Sequence, residues 1–266
     1  MKQFRLNGKP YWLPTTWADL TPKQVVALGP YLLVEPGVAG RLAVLRILSP
    51  VLTPKVLKRM SDDDQLLLVL ETDWLWSAPM DKCPLESFQH AGTEYLLWEP
   101  GFENCVAIEY LMAETQFKLF ARAKPTPGAL ELLLATLCRP RKAGLNERDP
   151  HWDGDRRERY NNKVAEARAK ELAQLSLATK MVVLQYYVAS ARAFHDRYRE
   201  LYEKPQDGKG RATASNFGLL GILDDIATEG VFGTFEQTCY TQVNTVFFHL
   251  LKGHRDAKAQ RAQAAE

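Results

Sequence analysis

A short pattern that occurs twice constrains the fold of this chain most: a Phe is followed four residues later by Gly, then by Tyr after three residues and by Leu after two more. The two copies span residues 4–13 and 88–97. Asn7 and Gly8 in the first copy are typical of a type I′ turn, because they tolerate the positive φ of both central turn residues. The second copy carries Ala-Gly at the same place, which is a weaker signal. The pattern therefore predicts two β-hairpins.

Helix signals follow the first hairpin. Thr21 and Pro22 suit the cap and the first position of a helix, since proline has no N–H to leave unpaired there. Ser61 and the three Asp residues after it predict another helix, with acidic side chains at its positive end, that runs to about Trp76. We therefore predict a mainly α-helical protein with two small β-hairpins, in which a hairpin-plus-helix unit is repeated in the N-terminal half.

A proline-rich link at residues 124–128 is the strongest internal break and predicts two regions. The region 1–126 holds the two hairpin-plus-helix units and short helices. The region 127–266 is helical, with a long central helix and a polar C-terminal tail. The long helix is predicted from apolar residues that recur every three or four positions. These residues are Val183, Tyr187, Ala191, Phe194, Tyr198 and Leu201.

Composition indicates the class of protein and its expected location, but not its function. The 266 residues are 46% hydrophobic, which is enough for a packed core, and 34 basic residues are balanced by 32 acidic ones. This balance gives no bulk electrostatic reason to expect a nucleic acid or a membrane as the main partner. No uncharged apolar run approaches the roughly 20 residues of a membrane span, and no secretory signal is apparent, so we expect a soluble cytoplasmic protein. The four cysteines lack metal-site spacing and are expected to be reduced packing thiols.

The sharpest chemical cluster is formed by His151, Asp153 and Asp155, in a predicted loop over residues 139–155. An imidazole and two carboxylates can serve a metal or an acid–base centre. A metal site needs three or four ligands, however, and no second histidine cluster accompanies them. The favoured interpretation is a loop whose Asp155 caps the next helix. A hydrolase or metal enzyme centred on this loop is the alternative.

A second cluster is basic and flanks the same loop. Its members can form a face for a phosphate backbone, but acidic residues are interleaved with them, so a solvated, salt-bridged surface is favoured. A glycine-rich loop at residues 204–215 adds no site, and phosphate-loop, GxSxG and HExxH motifs are missing from the sequence. We assign no catalytic, cofactor-binding or metal-ligating residue. The basic cluster consists of Arg139, Arg141, Lys142, Arg156, Arg157 and Arg159.

Five segments of the sequence together form a further pattern. They are YWLPTTWADLTPKQ (11–24), FQHAGTEYLLWEP (88–100), LATLCRP (134–140), GDRRERYN (154–161) and GLLGILDDIATEGVFGTFEQTCYTQVNTVFFHL (218–250). In the first segment a hairpin ends in Leu-Pro, a Trp follows, and Leu-Thr leads into a helix. This order of elements resembles a class of bacteriophage and prophage tail-region proteins, and the resemblance covers most of the chain in outline.

The resemblance implies a non-enzymatic protein encoded among tail morphogenesis genes, either a tail assembly chaperone or a tail accessory protein. On the chaperone version, apolar helix faces shield an aggregation-prone segment of a partner such as a tape-measure protein. The aromatic-rich hairpins leave a structural component of the mature tail as an alternative.

The expected partners follow from the same resemblance. They are other phage tail proteins, with a second copy of this chain as a further candidate. The implied location is the host cytoplasm during assembly, or the tail of the virion. No cofactor is expected, and neither a nucleic acid nor a membrane is an expected partner.

Overall fold

The structure is a computed structural model that is mainly α-helical, with one two-stranded and one three-stranded antiparallel sheet in the residues it describes. This confirms the predicted fold class, including both hairpins. The glycine-rich loop at 204–215, Asn7 of the first turn and His151 lie outside the described residues. The structure describes residues 1–6, 8–33, 35–80, 82–144, 147–150, 152–202 and 219–263.

The chain divides into two compact units, and the division differs from the predicted one. Unit 1 comprises Met1–Glu86 and Gln174–Ala189, and unit 2 comprises Ser87–Ala173 and Ser190–Glu266. The prediction placed the boundary between residues 126 and 127. That link lies inside unit 2, because the helices on either side of it pack against each other.

Unit 1 consists of one hairpin and a set of helices that are mostly short. Its last element, α9, begins in unit 1 and continues into unit 2. The elements are β1 (Lys2–Leu6), β2 (Lys9–Leu13), α1 (Pro22–Leu28), α2 (Val38–Leu48), α3 (Pro54–Leu57), α4 (Asp62–Leu70), α5 (Trp74–Ser77) and the first part of α9 (Leu177–Arg197).

Side-chain caps fix the helix starts of unit 1 as the sequence predicted. The hydroxyl of Thr21 accepts a hydrogen bond from the N–H of Gln24 at 3.3 Å, and that of Ser61 accepts one from Asp64 at 3.2 Å. The predicted end of α4 near Trp76 is wrong, because α4 ends at Leu70. Buried Thr72 donates its hydroxyl to a carbonyl in the last turn of α4, and the chain turns before α5 begins.

A glycine brings a distant segment into unit 1. Gly29 follows α1, and a Cβ at this position would lie 2.2 Å from the carbonyl oxygen of Ala178, in the first turn of α9. Only a residue without a side chain allows this approach. The contact explains why residues 174–189 belong to unit 1 although they lie far along the chain from the rest of it.

The repeated sequence pattern forms a cross-strand aromatic pair in each hairpin. Phe4 is opposite Tyr11 with ring centroids 5.8 Å apart, and Phe88 is opposite Tyr95 at 5.4 Å. A two-residue turn between strands puts Phe and Tyr in register seven residues apart, so the spacing of the pattern is the register of the hairpin. The pattern therefore records strand pairing directly.

Unit 2 combines the second hairpin with the longer helices. The short strand β5 (Arg139–Pro140) extends the hairpin to the sheet order β3-β4-β5, and α7 packs against both α6 and α8. The elements are β3 (Ser87–His90), β4 (Thr93–Leu96), α6 (Ala107–Phe120), α7 (Ala129–Leu137), β5, α8 (Asn162–Leu172), the end of α9, α10 (Leu219–Thr228), α11 (Phe235–Cys239) and α12 (Val243–Gln263).

An aromatic core holds α6, α9 and α12 together in unit 2. Phe194 of α9 lies 4.6 Å from Tyr110 and 4.7 Å from Phe247 between ring centroids, and it is completely buried. The hydroxyl of Tyr110 is 3.1 Å from Nε2 of His195. The hydrogen-bond partner of this histidine is therefore a core tyrosine and not its neighbour Asp196. The predicted apolar stripe is confirmed within α9 by the burial of Val183, Tyr187 and Phe194. The helix ends at Arg197, so Tyr198 and Leu201 lie beyond it and the predicted extent of the helix is wrong.

The second turn offers a test of the hairpin interpretation. Ala91 has φ of 48° and Gly92 has φ of 81°, so a non-glycine residue occupies a left-handed position. Replacing exposed Ala91 by Asn, which tolerates this conformation, should raise the free energy of unfolding by about 1 kcal/mol in urea denaturation. Gly92→Ala is the matched control: the site has open space, so backbone strain alone should lower stability by about 1 kcal/mol. A destabilising Ala91→Asn would contradict the type I′ turn.

Candidate functional site

Unit 2 contains a cluster of four charged side chains that is almost entirely removed from solvent. Glu109 comes from α6, Arg139 from β5, and Asp155 and Arg157 from the extended segment before α8. The side chains of Glu109, Arg139 and Arg157 are at most 2% exposed, and that of Asp155 is 14% exposed. We call these four residues the charge quartet. Buried charges are energetically costly unless they are paired, so each of these four groups needs a partner of opposite charge.

Each carboxylate of the charge quartet binds both guanidinium groups. Nη2 of Arg139 lies 3.0 Å from Oε2 of Glu109 and 2.9 Å from Oδ2 of Asp155. Nη1 of Arg157 lies 2.9 Å from Oε1 of Glu109, and its Nε lies 2.9 Å from Oδ1 of Asp155. The result is a closed, electrically neutral ring of two cations and two anions.

Backbone pairing brings the charge quartet together. Arg139 lies in β5 opposite Leu96 of β4, and Arg141 forms an isolated antiparallel bridge with Arg157. Arg157 also donates from Nη1 to the carbonyl of Leu137 at 2.7 Å and from Nη2 to that of Asn104 at 3.0 Å. The end of α7 and the chain before α6 are thereby joined to the same guanidinium group.

The charge quartet controls the protonation of its neighbours. Burial opposes the charge of Arg157, but the attraction of Glu109 and the attraction and hydrogen bonding of Asp155 together outweigh it, so the pKa of Arg157 is raised well above its ordinary value. Burial, with repulsion by Glu109, raises the pKa of the Cys105 thiol far above its ordinary value. The same two causes raise the pKa of Tyr160 to about 12. Both groups therefore stay neutral at physiological pH, and Cys105 is not activated as a nucleophile.

The predicted acidic cluster is divided in the structure. Asp155 belongs to the charge quartet, whereas Asp153 is largely exposed and pairs with Lys142 at 2.9 Å; His151 lies outside the described residues. The prediction that Asp155 caps the next helix is wrong. Asn161 caps α8 instead, accepting a hydrogen bond from the N–H of Val164 at 3.2 Å, because the guanidinium groups of the quartet hold Asp155 elsewhere.

The predicted basic cluster does not form one surface. Arg139 and Arg157 are buried and therefore cannot contact a phosphate backbone. The other four members each lie within ion-pair distance of a carboxylate. These pairs are Arg141 with Glu94 at 3.6 Å, Lys142 with Asp153 at 2.9 Å, Arg156 with Glu147 at 2.9 Å and Arg159 with Glu236 at 3.6 Å.

A cavity of about 210 Å³ lies beside the charge quartet and is lined by all four of its members. Tyr240 and Gln242 also line it, and the bridge between Val106 and Gln242 fixes that segment at the start of α6. This site could not be predicted from the sequence, because residues 139–155 have the composition of a loop and β5 is only two residues long. The only signal in the sequence was the density of arginine and acidic residues there.

Comparison of the chain with protein-family models, curated proteins and solved structures found no match. Within the described ranges, no group of three or more His, Cys, Asp or Glu side chains is arranged to hold a metal ion. No helix among the described residues is both long and apolar enough to cross a membrane. None of the four cysteines, all of which are described, forms a disulfide, and three of them are buried, in agreement with packing thiols.

Removal of one charge from the quartet should strongly destabilise the protein. Glu109→Gln keeps the shape of the side chain but leaves two buried arginines with a single carboxylate. We expect the free energy of unfolding to fall by about 3–5 kcal/mol in urea denaturation. Glu147→Gln breaks the exposed pair with Arg156 and should change it by less than about 0.5 kcal/mol. Similar small effects for both substitutions would contradict a structural role of the quartet.

Proposed function

We propose that this chain is a non-enzymatic protein of phage tail assembly that acts by binding other proteins, as a tail assembly chaperone or a tail-associated factor. The observation that carries the proposal is an exposed apolar helix face in unit 1. The resemblance of the sequence to tail-region proteins supports the choice of partner. The proposal places the protein in the host cytoplasm during assembly.

The apolar face belongs to α4. Leu66, Leu67 and Leu70 are 56%, 62% and 51% exposed, and their spacing places them on one side of the helix. Leu68 and Val69 are buried and attach α4 to unit 1. The helix therefore has apolar side chains both inside and outside, and the outer group has no role in the described fold. Three adjacent exposed leucines are typical of a surface that another protein covers.

Charge around the leucines indicates the kind of partner. Asp62, Asp63 and Asp64 are exposed in the first turn of α4, and Asp63 lies on the same side as the leucines. A matching surface is apolar with basic residues at one end. An amphipathic helix of a tail protein, such as a tape-measure protein, has this chemistry if lysine or arginine flanks its apolar side.

A structural component of the mature tail is the second candidate, since the same leucines can be covered permanently. Finding the protein in purified virion tails would favour that role over a transient chaperone. A second copy of the chain is a further candidate partner. The enzyme alternative requires the two carboxylates near His151 to act together. Asp155 pairs with Arg139, whereas Asp153 pairs with Lys142, so this alternative has less support.

Substitution of the exposed leucines tests the proposal. The chain carrying Leu66→Glu and Leu67→Glu should fold normally, because both side chains are exposed, but it should lose the partner. We expect the unaltered chain, co-expressed with the tail proteins of the same phage, to form a complex that survives affinity purification. The double variant should reduce the recovered partner at least tenfold.

Phe248→Glu is the matched control, because Phe248 is equally exposed but lies on α12 in unit 2. It should leave recovery of the partner unchanged. The proposal is refuted if the unaltered chain recovers no tail protein. Equal losses from the α4 and α12 variants would show that the binding surface is not α4.

A further inference from the structure

Unit 2 has a second pocket, of about 410 Å³, between α6, α7 and α8. Gln116 of α6 lines one side, and the link before α7 lines another together with the first turn of that helix. The third side is α8, which contributes Glu166, Ala169 and Lys170. We call this space the α7 pocket. It shares no lining residue with the cavity beside the charge quartet.

Gln116 is a buried polar side chain without a hydrogen bond. It is 8% exposed, and its amide bonds to no other described residue. The amide is not among the described polar atoms that are both unpaired and sealed from solvent, so its oxygen and its nitrogen each keep accessible surface. Because Gln116 lines the α7 pocket, a ligand there can reach this amide. An N–H in so buried a side chain gains from an acceptor that the fold does not supply.

The positive end of a helix dipole faces the same pocket. Gly128 and Ala129, at the start of α7, line the pocket, and no side chain caps this nine-residue helix. The N–H of Leu130 in the first turn has no acceptor among the described residues. Unpaired N–H groups give a helix N-terminus a partial positive charge of about half a unit, which attracts an anion.

The charged side chains around the α7 pocket select the charge of a ligand. Lys170 lines the pocket, is exposed, and forms no ion pair with a described residue. Glu166, the acidic residue of the described lining, accepts a hydrogen bond from Asn162 at 2.7 Å. Glu131 lies in the first turn of α7 but outside the lining. One lysine and a helix N-terminus, opposed by these carboxylates, favour a singly charged anion over a doubly charged one such as phosphate.

Most of the remaining lining is aliphatic. It consists of Pro127, Ala129, Leu132 and Ala169, and no aromatic ring is among the described lining residues. The volume of the pocket is more than ten times the share of about 30 Å³ that one water occupies in the liquid. A short hydrocarbon body therefore fits beside the charged group, and this combination is typical of sites for small ligands.

We propose that the α7 pocket binds an aliphatic carboxylate, carried either by a small organic acid or by the C-terminus of a polypeptide. The carboxylate lies at the positive end of α7, accepts a hydrogen bond from the amide nitrogen of Gln116 and pairs with Lys170. The hydrocarbon part packs against Leu132 and Ala169. The site lies in unit 2 and uses no residue of α4, so it stands or falls separately from the proposed function.

The test follows the side-chain amide signal of Gln116 in ¹H–¹⁵N NMR spectra of the full chain at constant ionic strength. Isovalerate is added in one titration, and its uncharged isostere isovaleramide and inorganic phosphate are added in two others. We expect isovalerate to shift the signal saturably with a millimolar Kd, and the other two compounds to bind about fivefold more weakly or less. Equal binding of isovaleramide would show an apolar pocket without an anion site, and equal or tighter phosphate binding would show a general anion site. Either result, or a lack of saturation with isovalerate, overturns the proposal.

Two substitutions test the assigned contacts. Lys170→Gln removes the charge and should raise the Kd for isovalerate about threefold. Lys163→Gln is the matched control, at an exposed lysine of α8 outside the lining, and should leave the Kd unchanged. Gln116→Met keeps the length of the side chain but removes the donor, so it should also raise the Kd about threefold, read from the backbone amide of Ala129. An unchanged Kd in either pocket variant would overturn the proposal.

A fourth ligand distinguishes the two sources of the carboxylate. N-acetylleucine carries its carboxylate as the C-terminus of a protein does, and it is titrated under the same conditions. Tighter binding than that of isovalerate supports a polypeptide C-terminus, and equal or weaker binding supports a small organic acid.

Discussion

The charge quartet is the constraint on which the architecture of unit 2 depends. Its four members come from α6, β5 and the segment before α8, so one closed ring of ion pairs joins three parts of the chain. Burial of each ion costs several kcal/mol, and the ring offsets this cost because every carboxylate binds two guanidinium groups. The segment that carries Asp155 and Arg157 is thereby held against the interior of unit 2. A cavity lies beside the ring and is lined by all four of its members.

Those parts of the fold that depend on neighbours in sequence could be predicted. The hairpins followed from the spacing of Phe and Tyr, which is also their cross-strand register, and helix starts followed from hydroxyl caps at Thr21 and Ser61. The quartet could not, because Glu109 and Arg139 are 30 residues apart and charged side chains are usually exposed. Asp155 was assigned a local role as a cap, and long-range pairing to arginine prevented it.

The exposed leucines of α4 could not be predicted for a related reason. A run of leucines and a valine ends α4, and the sequence alone does not show which of them face the core. Only the packing of Leu68 and Val69 leaves Leu66, Leu67 and Leu70 outside. The ionisable groups of the cavity are held by one another, and the Cys105 thiol is kept neutral by burial.

Hydrogen exchange of the chain, alone and with purified phage tail proteins as the proposed partners, tests the central claim most directly. Backbone amides of α4 are expected to exchange more slowly in the presence of the partner, because a bound helix would prevent the opening of this short element. Amides around the charge quartet should exchange at the same rate in both samples. The account is contradicted if no tail protein slows exchange anywhere, or if the protected amides lie outside α4.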